Sequence, residues 1–235
     1  MATKLYTIER LTRDLLSEPN PGFWSSDEII GYISSGIRDL WRPMVDLKQE
    51  YFLTFDNTNV TLSADTTTLS GVPSDVHKVY ALEVRDGTNT SANIGLKFRP
   101  REFHDEAFVS ARTLDSIDPS NDTIFYAVMG AGAPVSAPTI RVAPTVTGAV
   151  NLTLTYVPTV GTLTSSSTVP LPGETDNALV AWAVAYARSK EREDRAPDPG
   201  WMSIYNAERA QLLQSLGVRN LHKPVVVNAM FEEYW

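Results

Sequence analysis

The chain contains no cysteine, which excludes disulfides and thiolate metal ligands and fits synthesis in a reducing cytoplasm. Histidine is scarce too: His77, His104 and His222 are the whole supply, and none stands in a His-Glu-x-x-His spacing. No apolar run approaches the roughly 18 uninterrupted residues that a membrane span needs, so no membrane partner is expected. Met1-Ala2-Thr3-Lys4-Leu5 lacks the apolar segment of a signal peptide. A basic excess is also missing, since 20 Lys and Arg face 28 Asp and Glu for a net charge of −8. Proteins that grip DNA usually show the opposite balance, because phosphate neutralisation supplies most non-specific affinity. What is present is ordinary for a globular protein: 43% hydrophobic and 20% charged residues in 235, enough for one core or for one core with an inserted module.

The pattern along the chain changes twice. Leu5, Ile8, Leu11, Leu15 and Leu16 recur at helical spacing over Lys4 to Ser17, with charges on the other face. Pro19, Pro21 and Gly22 end that segment. Ser25-Ser26-Asp27-Glu28 is a capping-box pattern, and Ile29, Ile30, Ile33, Ile37, Leu40 and Trp41 form the stripe of a second helix that Pro43 closes. From Tyr51 to about Pro158 the chain is rich in Thr, Val, Ser and Asn. Strands are expected over Tyr51–Phe55, Val60–Leu62, Lys78–Arg85, Ile94–Phe98, Thr123–Met129, Thr139–Val142 and Leu152–Val157, with a short helix near Arg101–Ser110. Helical spacing then returns. Leu179, Trp182, Ala183 and Tyr186 mark a helix from about Thr175 to Asp194. Asp198-Pro199 opens a last one carrying Tyr205, Ala207, Ala210, Leu212, Leu213 and Leu216 before Gly217.

The expected fold is therefore α+β. An α-helical bundle from the N- and C-terminal helices carries an inserted antiparallel β module, a sandwich or barrel. Its parts are a helical hairpin over residues 1–50, the β module over 51–168, the closing helices over 169–220 and an extended tail over 221–235.

Motifs that carry chemistry are missing. The run His104-Asp105-Glu106 falls on a helix, where consecutive residues point about 100° apart and cannot converge on one ligand. Gly130-Ala131-Gly132-Ala133-Pro134 lacks the third glycine of a dinucleotide loop, and its proline sits where a helix should begin; it reads as a turn. No Walker A sequence and no Gly-x-Ser-x-Gly elbow is present. Catalytic residues, metal ligands and cofactors are accordingly expected to be absent.

Three charged or apolar segments remain. Lys97, Arg99 and Arg101 alternate, so on a strand all three face one side. They suit a phosphate or acidic contact, or a solvated strand edge guarded by its charge, and the edge is the favoured reading. Lys190-Glu191-Arg192-Glu193-Asp194-Arg195 alternates in sign and reads as an exposed, self-compensating face. The tail is the oddity. Val225, Val226, Val227, Met230, Phe231, Tyr234 and Trp235 form an apolar run that water does not favour, so it folds back or another chain covers it.

The order of these features resembles the head-to-tail adaptor (connector, or tail-tube gatekeeper) family of tailed bacteriophages. The resemblance rests on Trp24-Ser25-Ser26-Asp27-Glu28-Ile29-Ile30-Gly31-Tyr32-Ile33 with Asp39-Leu40-Trp41, and on Leu69-Ser70-Gly71-Val72-Pro73-Ser74-Asp75-Val76-His77-Lys78-Val79. It continues through Tyr126-Ala127-Val128-Met129-Gly130, Ile140-Arg141-Val142-Ala143-Pro144 and Leu154-Thr155-Tyr156-Val157-Pro158, then Val169-Pro170-Leu171-Pro172 before the alanine-rich helix. It implies a non-enzymatic virion protein of the phage neck, synthesised in the host cytoplasm. Such a protein forms a dodecameric ring under the portal, offers a platform to the next tail or neck protein, and lets genome DNA pass without specific binding. It also implies a portal-docking role for the tail residues Val225 to Trp235. A tail-terminator or neck-completion subunit is the nearest rival. A carbohydrate-binding or enzymatic β-sandwich is the alternative outside this class, disfavoured because the tryptophans avoid the β segment.

Overall fold

The computed structural model describes residues 3–87, 96–102, 113–114, 123–130, 137–193 and 196–218. The expected helix near Arg101–Ser110 beyond Glu102, the first two residues of the Ile94–Phe98 strand and the tail from Leu221 to Trp235 lie outside the described residues. The chain divides into two compact units, Met1–Lys48 with Thr162–Trp235, and Gln49–Gly161. Helices fill the first and strands the second, so the fold is α+β as the sequence leads one to expect.

The helical unit holds α1 (Leu5–Leu15), α2 (Ser26–Lys48), α3 (Asp176–Glu191) and α4 (Pro199–Val218). α3 packs against the other three, and α2 packs against α1 and α4. That central place explains the composition of α3. Ala178, Ala181, Ala183, Ala185 and Ala187 are buried beside Leu179, Val180 and Val184, and small side chains let neighbouring helices come close. Gly36 of α2 follows the same logic, because a Cβ there would stand 2.8 Å from Cδ1 of Trp182. The caps form as the sequence indicates. Ser25 N–H donates to Glu28 Oε2 at 2.9 Å while Glu28 N–H donates to Ser25 Oγ at 3.2 Å. Asp198 Oδ1 accepts from the N–H groups of Gly200 and Trp201 at the start of α4.

Two expectations about these helices need correcting. Pro43 does not close α2, which runs through it to Lys48. An interior proline costs about 3 kcal/mol. Beyond it, however, Met44 and Val45 prolong the buried stripe of Ile37 and Leu40, and each such side chain contributes about 1.5–3 kcal/mol. Burial outweighs the break. In α1 the stripe is not the expected one: Leu11 and Leu15 are 40% and 43% exposed, and the buried arc holds Glu9, Thr12 and Arg13 beside Leu5 and Ile8. The two charges enter because they bond each other and the turn that follows, as described below. In α4 only Tyr205, Leu212 and Leu216 of the expected stripe are fully buried, while Ala207 and Ala210 face solvent.

Among the described residues the second unit contains ten strands: β1 (Thr54–Asp56), β2 (Thr61–Leu62), β3 (Leu69–Ser70), β4 (Val76–Gly87), β5 (Arg99–Pro100), β6 (Thr113–Leu114), β7 (Phe125–Met129), β8 (Thr139–Ala143), β9 (Thr145–Val146) and β10 (Val150–Pro158). β10 is the hub, taking β1 and β2 on one edge and β4 on the other. β2 pairs with β3, and the residues just before β3 reach β8 through Val142 N–H to Thr67 O at 2.8 Å. β8 pairs with β7 and β7 with β5. Residues 96–98, leading into β5, return to β4 through Phe98 N–H to Leu82 O and Val84 N–H to Leu96 O, at 2.8 and 2.9 Å. The ladder thus closes on itself as a small barrel. Its interior is one cluster, drawn from Leu62, Leu69, Leu82, Val84, Phe98, Tyr126, Ile140, Val142, Leu152 and Leu154 among others.

The pairing is not wholly antiparallel: β5–β7 and β6–β9 run parallel. The connections are the reason, because strands joined by a long segment can return in the same direction and strands joined by a hairpin cannot. Tyr51 and Phe52 also leave the strand expected of them and close a 3-10 turn, Gln49–Phe52. Gly71 fixes the opposite side of the β2–β3 pair. It has φ +71°, and an added Cβ would lie 1.9 Å from Asn59 O.

Candidate interaction surfaces

Among the described residues no group of three or more His, Cys, Asp or Glu side chains could hold a metal ion, and no helix is long and apolar enough to cross a membrane. His77 is exposed, while His104, His222 and the run His104-Asp105-Glu106 lie outside the described residues. The polar clusters that do form tie elements together. The Tyr205 hydroxyl donates to the Asp39 carboxylate, joining α4 to α2. Burial, then that carboxylate, push the Tyr205 pKa well above the usual phenol range, so it stays a donor.

The α1–α2 turn is held from both sides. Arg13, only 4% exposed in its side chain, pairs with Glu9 at 3.0 Å and donates to Trp24 O at 3.2 Å and Ser26 Oγ at 3.3 Å. From α3, Ala187 O accepts the Trp24 indole N–H at 3.0 Å, and Lys190 Nζ reaches Phe23 O at 3.0 Å and Glu28 Oε1 at 2.6 Å. The bond from Lys190, followed by the Ser25 N–H, lowers the Glu28 pKa to about 2. Within the described part of the Lys190–Arg195 run the two cations pair outside it. Lys190 pairs with Glu28 and Arg192 with Asp198, both outside the run, while residues 194 and 195 lie outside the described ones. A charged side chain near a helix end meets the elements packed against it before it meets its sequence neighbours.

The outer wall of the barrel carries the surface features. Lys97, Arg99 and Arg101 are exposed and Phe98 between them is buried, so the alternation holds. Their reading as a guarded strand edge holds for part of the row, since β5 ends the sheet β5-β7-β8. Residues 96–98 bond β4, and Arg99 and Arg101 donate backbone N–H to Ile124 O and Tyr126 O at 2.8 and 2.9 Å. Among the described residues the segment is thus bonded to β4 along its first half and to the 124–126 segment along its second. The Arg101 guanidinium lies 5.0 Å from the centre of the Phe125 ring, and Lys97 Nζ stands 3.2 Å from Glu83.

Elsewhere on the barrel Phe55 is 69% exposed, and Tyr51 and Tyr80 are exposed too. The sequence offers little warning of these, since single aromatics in short strands look like core. Asp56 and Asp75 lie near Tyr156 of the core cluster, whose OH donates to Asp75 Oδ1 at 3.2 Å. Burial first, then both carboxylates, raise the Tyr156 pKa to about 12. Burial opposes ionisation of Asp56, but hydrogen bonds from Asn59 and Thr58 more than offset it and lower its pKa to about 2. On the helical unit Tyr6, Leu11, Leu15, Phe23, Leu47 and Ile204 are exposed. The sequence-expected docking residues Val225, Val226, Val227, Met230, Phe231, Tyr234 and Trp235 lie outside the described residues.

The family model described as SU10 adaptor protein matches the chain over residues 3–227. No curated protein matches it.

Proposed function

The chain belongs to the SU10 adaptor protein family, a family of structural phage proteins, and from that premise we propose that it is a head-to-tail adaptor. It assembles as a dodecameric ring under the portal, extends the DNA channel and presents a platform to the next tail or neck protein. The observation that carries this reading is the extent of the match, which includes both halves of the helical unit and the whole β unit between them. In this reading the helices form one bundle and the barrel is an insertion within it. The protein performs no catalysis and binds no cofactor, and the genome slides past a wall that holds it nowhere specifically.

Docking on the portal falls to residues 223–235. Val225, Val226, Val227, Met230, Phe231, Tyr234 and Trp235 are large apolar or aromatic side chains in a short segment. Burial of each contributes about 1.5–3 kcal/mol, on the order of what ordering a short flexible segment costs. Aromatics anchor interfaces, and a β-branched run can extend a partner's sheet edge. The test is deletion of residues 223–235, followed by melting and by binding to portal-bearing capsids. The expected result is an unchanged melting temperature with attachment lost. A truncated protein that still attaches, or one that melts many degrees lower, overturns the docking role.

A further inference from the structure

Sequence spacing assigns Leu11 and Leu15 to the core, and the structure leaves both out of it, 40% and 43% exposed. Standing one turn apart, they share a face of α1 with Thr7. α1 therefore buries Leu5 and Ile8 on one side and offers leucines on another. Scattered exposed leucines are ordinary, but adjacent ones form a patch that a partner commonly covers. α4 has an unusual face of its own. Every exposed position described in it is uncharged, and its two charged residues, Glu208 and Arg209, are half-buried. A helix face turned to water normally carries charge. This one carries Ser203, Ile204, Ala207, Ala210, Gln211 and Gln214, with Ile204 47% exposed. Depletion of charge is the compositional mark of an interface core.

We infer that neighbouring copies meet through their helical units, Leu11 and Leu15 on α1 of one against the face of α4 around Ile204, Ala207 and Gln211 on the next. This rests on the ring reading above and names a contact within it. The packing of the unit supplies the geometry. α1 and α4 each pack on α2 and on α3, whereas they make no such packing with each other. They therefore lie on different flanks of the α2–α3 pair. Two unlike faces on different flanks suit a heterologous contact, which repeats from copy to copy and can close into a ring. An isologous contact instead needs a single patch that meets itself.

Charge and shape name the occupant. Copies that each carry −8 repel on average, so contact between them favours surfaces that are free of charge or matched in sign. The exposed charges on α1 and its N-cap are Lys4, Arg10 and Asp14, a positive balance. On α4, Arg209 pairs with Asp39 at 3.7 Å. That leaves Glu208, beside Ile204 and Gln211 on the helix surface, as the charge at the margin of the face. The two rims are thus opposite in sign. Shape agrees as well. The short side chains of Ser203, Ala207 and Ala210 leave hollows between turns, and leucines one turn apart are knobs that fill such hollows.

The chain has no cysteine, so introduced thiols report the contact cleanly. Leu11→Cys and Ala207→Cys, both at exposed positions, are combined in one chain and treated with a short bismaleimide on portal-bearing capsids. The double variant should give a ladder of covalent multimers, and each single variant alone should give none. A mixture of the two single variants should give dimers and nothing larger, because each copy then offers one thiol. In a second test, Leu11→Glu with Leu15→Glu should raise the concentration that half-fills portal-bearing capsids at least tenfold. Its melting temperature at dilution should match the wild type. A ring of copies seen by electron microscopy without a ladder overturns the inference and leaves the ring reading standing. Isolated copies on the capsid sink the ring reading itself, and the contact with it. Dimers from one single variant alone mean that like faces meet, and the inference fails. It fails too if the glutamate variant fills capsids as the wild type does. Melting many degrees lower at dilution also refutes it, since the protein's own chain then covers Leu11 and Leu15.

Discussion

Replacing Arg13 by alanine should unfold the helical unit far more readily than a charge on a surface helix would suggest. The Arg13 side chain is 4% exposed and that of its partner Glu9 12%. With the guanidinium gone, Glu9 is left as a poorly solvated carboxylate, and losing one member of a buried pair costs about 3–5 kcal/mol. Trp24 O loses a donor as well, which adds about 1 kcal/mol. For a chain of this size each kcal/mol lowers the melting temperature by about 2–4 °C, so the expected drop is roughly 8–24 °C. Removing both charges together should be much milder: Glu9→Leu with Arg13→Met replaces the pair by apolar groups of similar length, and such swaps are often neutral. Tryptophan fluorescence during urea unfolding is a suitable assay, because Trp24, Trp41, Trp182 and Trp201 all belong to the helical unit. A loss below about 1 kcal/mol for Arg13→Ala would place the pair among ordinary surface bridges. A double variant less stable than the single one would equally refute the reasoning.

Gly71→Ala should cost the barrel about 2–4 kcal/mol in urea unfolding, combining left-handed strain with displacement of Asn59. Asp198→Ala should cost about 1 kcal/mol through loss of the α4 cap, while Asp198→Asn should cost much less. The Glu28–Lys190 pair predicts a pH dependence with a definite sign. Because folding lowers the Glu28 pKa from 4.5 to about 2, its contribution is full above the upper value and fades as pH falls toward the lower one. Lys190→Met should therefore be less stable than wild type at neutral pH, with the gap shrinking between these values and gone near the lower one.

The helices were legible because their signals are local. The capping box at Ser25 and the Asp198-Pro199 start need only residues within one turn, and both form as read. Pro43 misled because a proline's local cost is visible in sequence while the burial of Met44 and Val45 beyond it depends on helices more than a hundred residues away. Glu9 and Arg13 misled for the same reason. At i, i+4 spacing they look like a solvated pair, and only Trp24 O and Ser26 Oγ across the turn make burial affordable. The long strands β4, β7, β8 and β10 are legible from their runs of β-prone residues. Two-residue strands such as β3, β6 and β9 carry no period to detect.

The basic row shows where sequence reading of a surface stops. Alternation at Lys97, Arg99 and Arg101 correctly put three charges on one face, because side-chain direction along a strand is a local property. Whether that strand is an edge is not local. It depends on Leu82 and Val84 before it in the chain and on Ile124 and Tyr126 after it, which bond its two sides. Edge protection explains charges cheaply, since any free edge benefits from them. Within the subunit Lys97 bridges to Glu83 at the surface and Arg101 lies over the Phe125 ring.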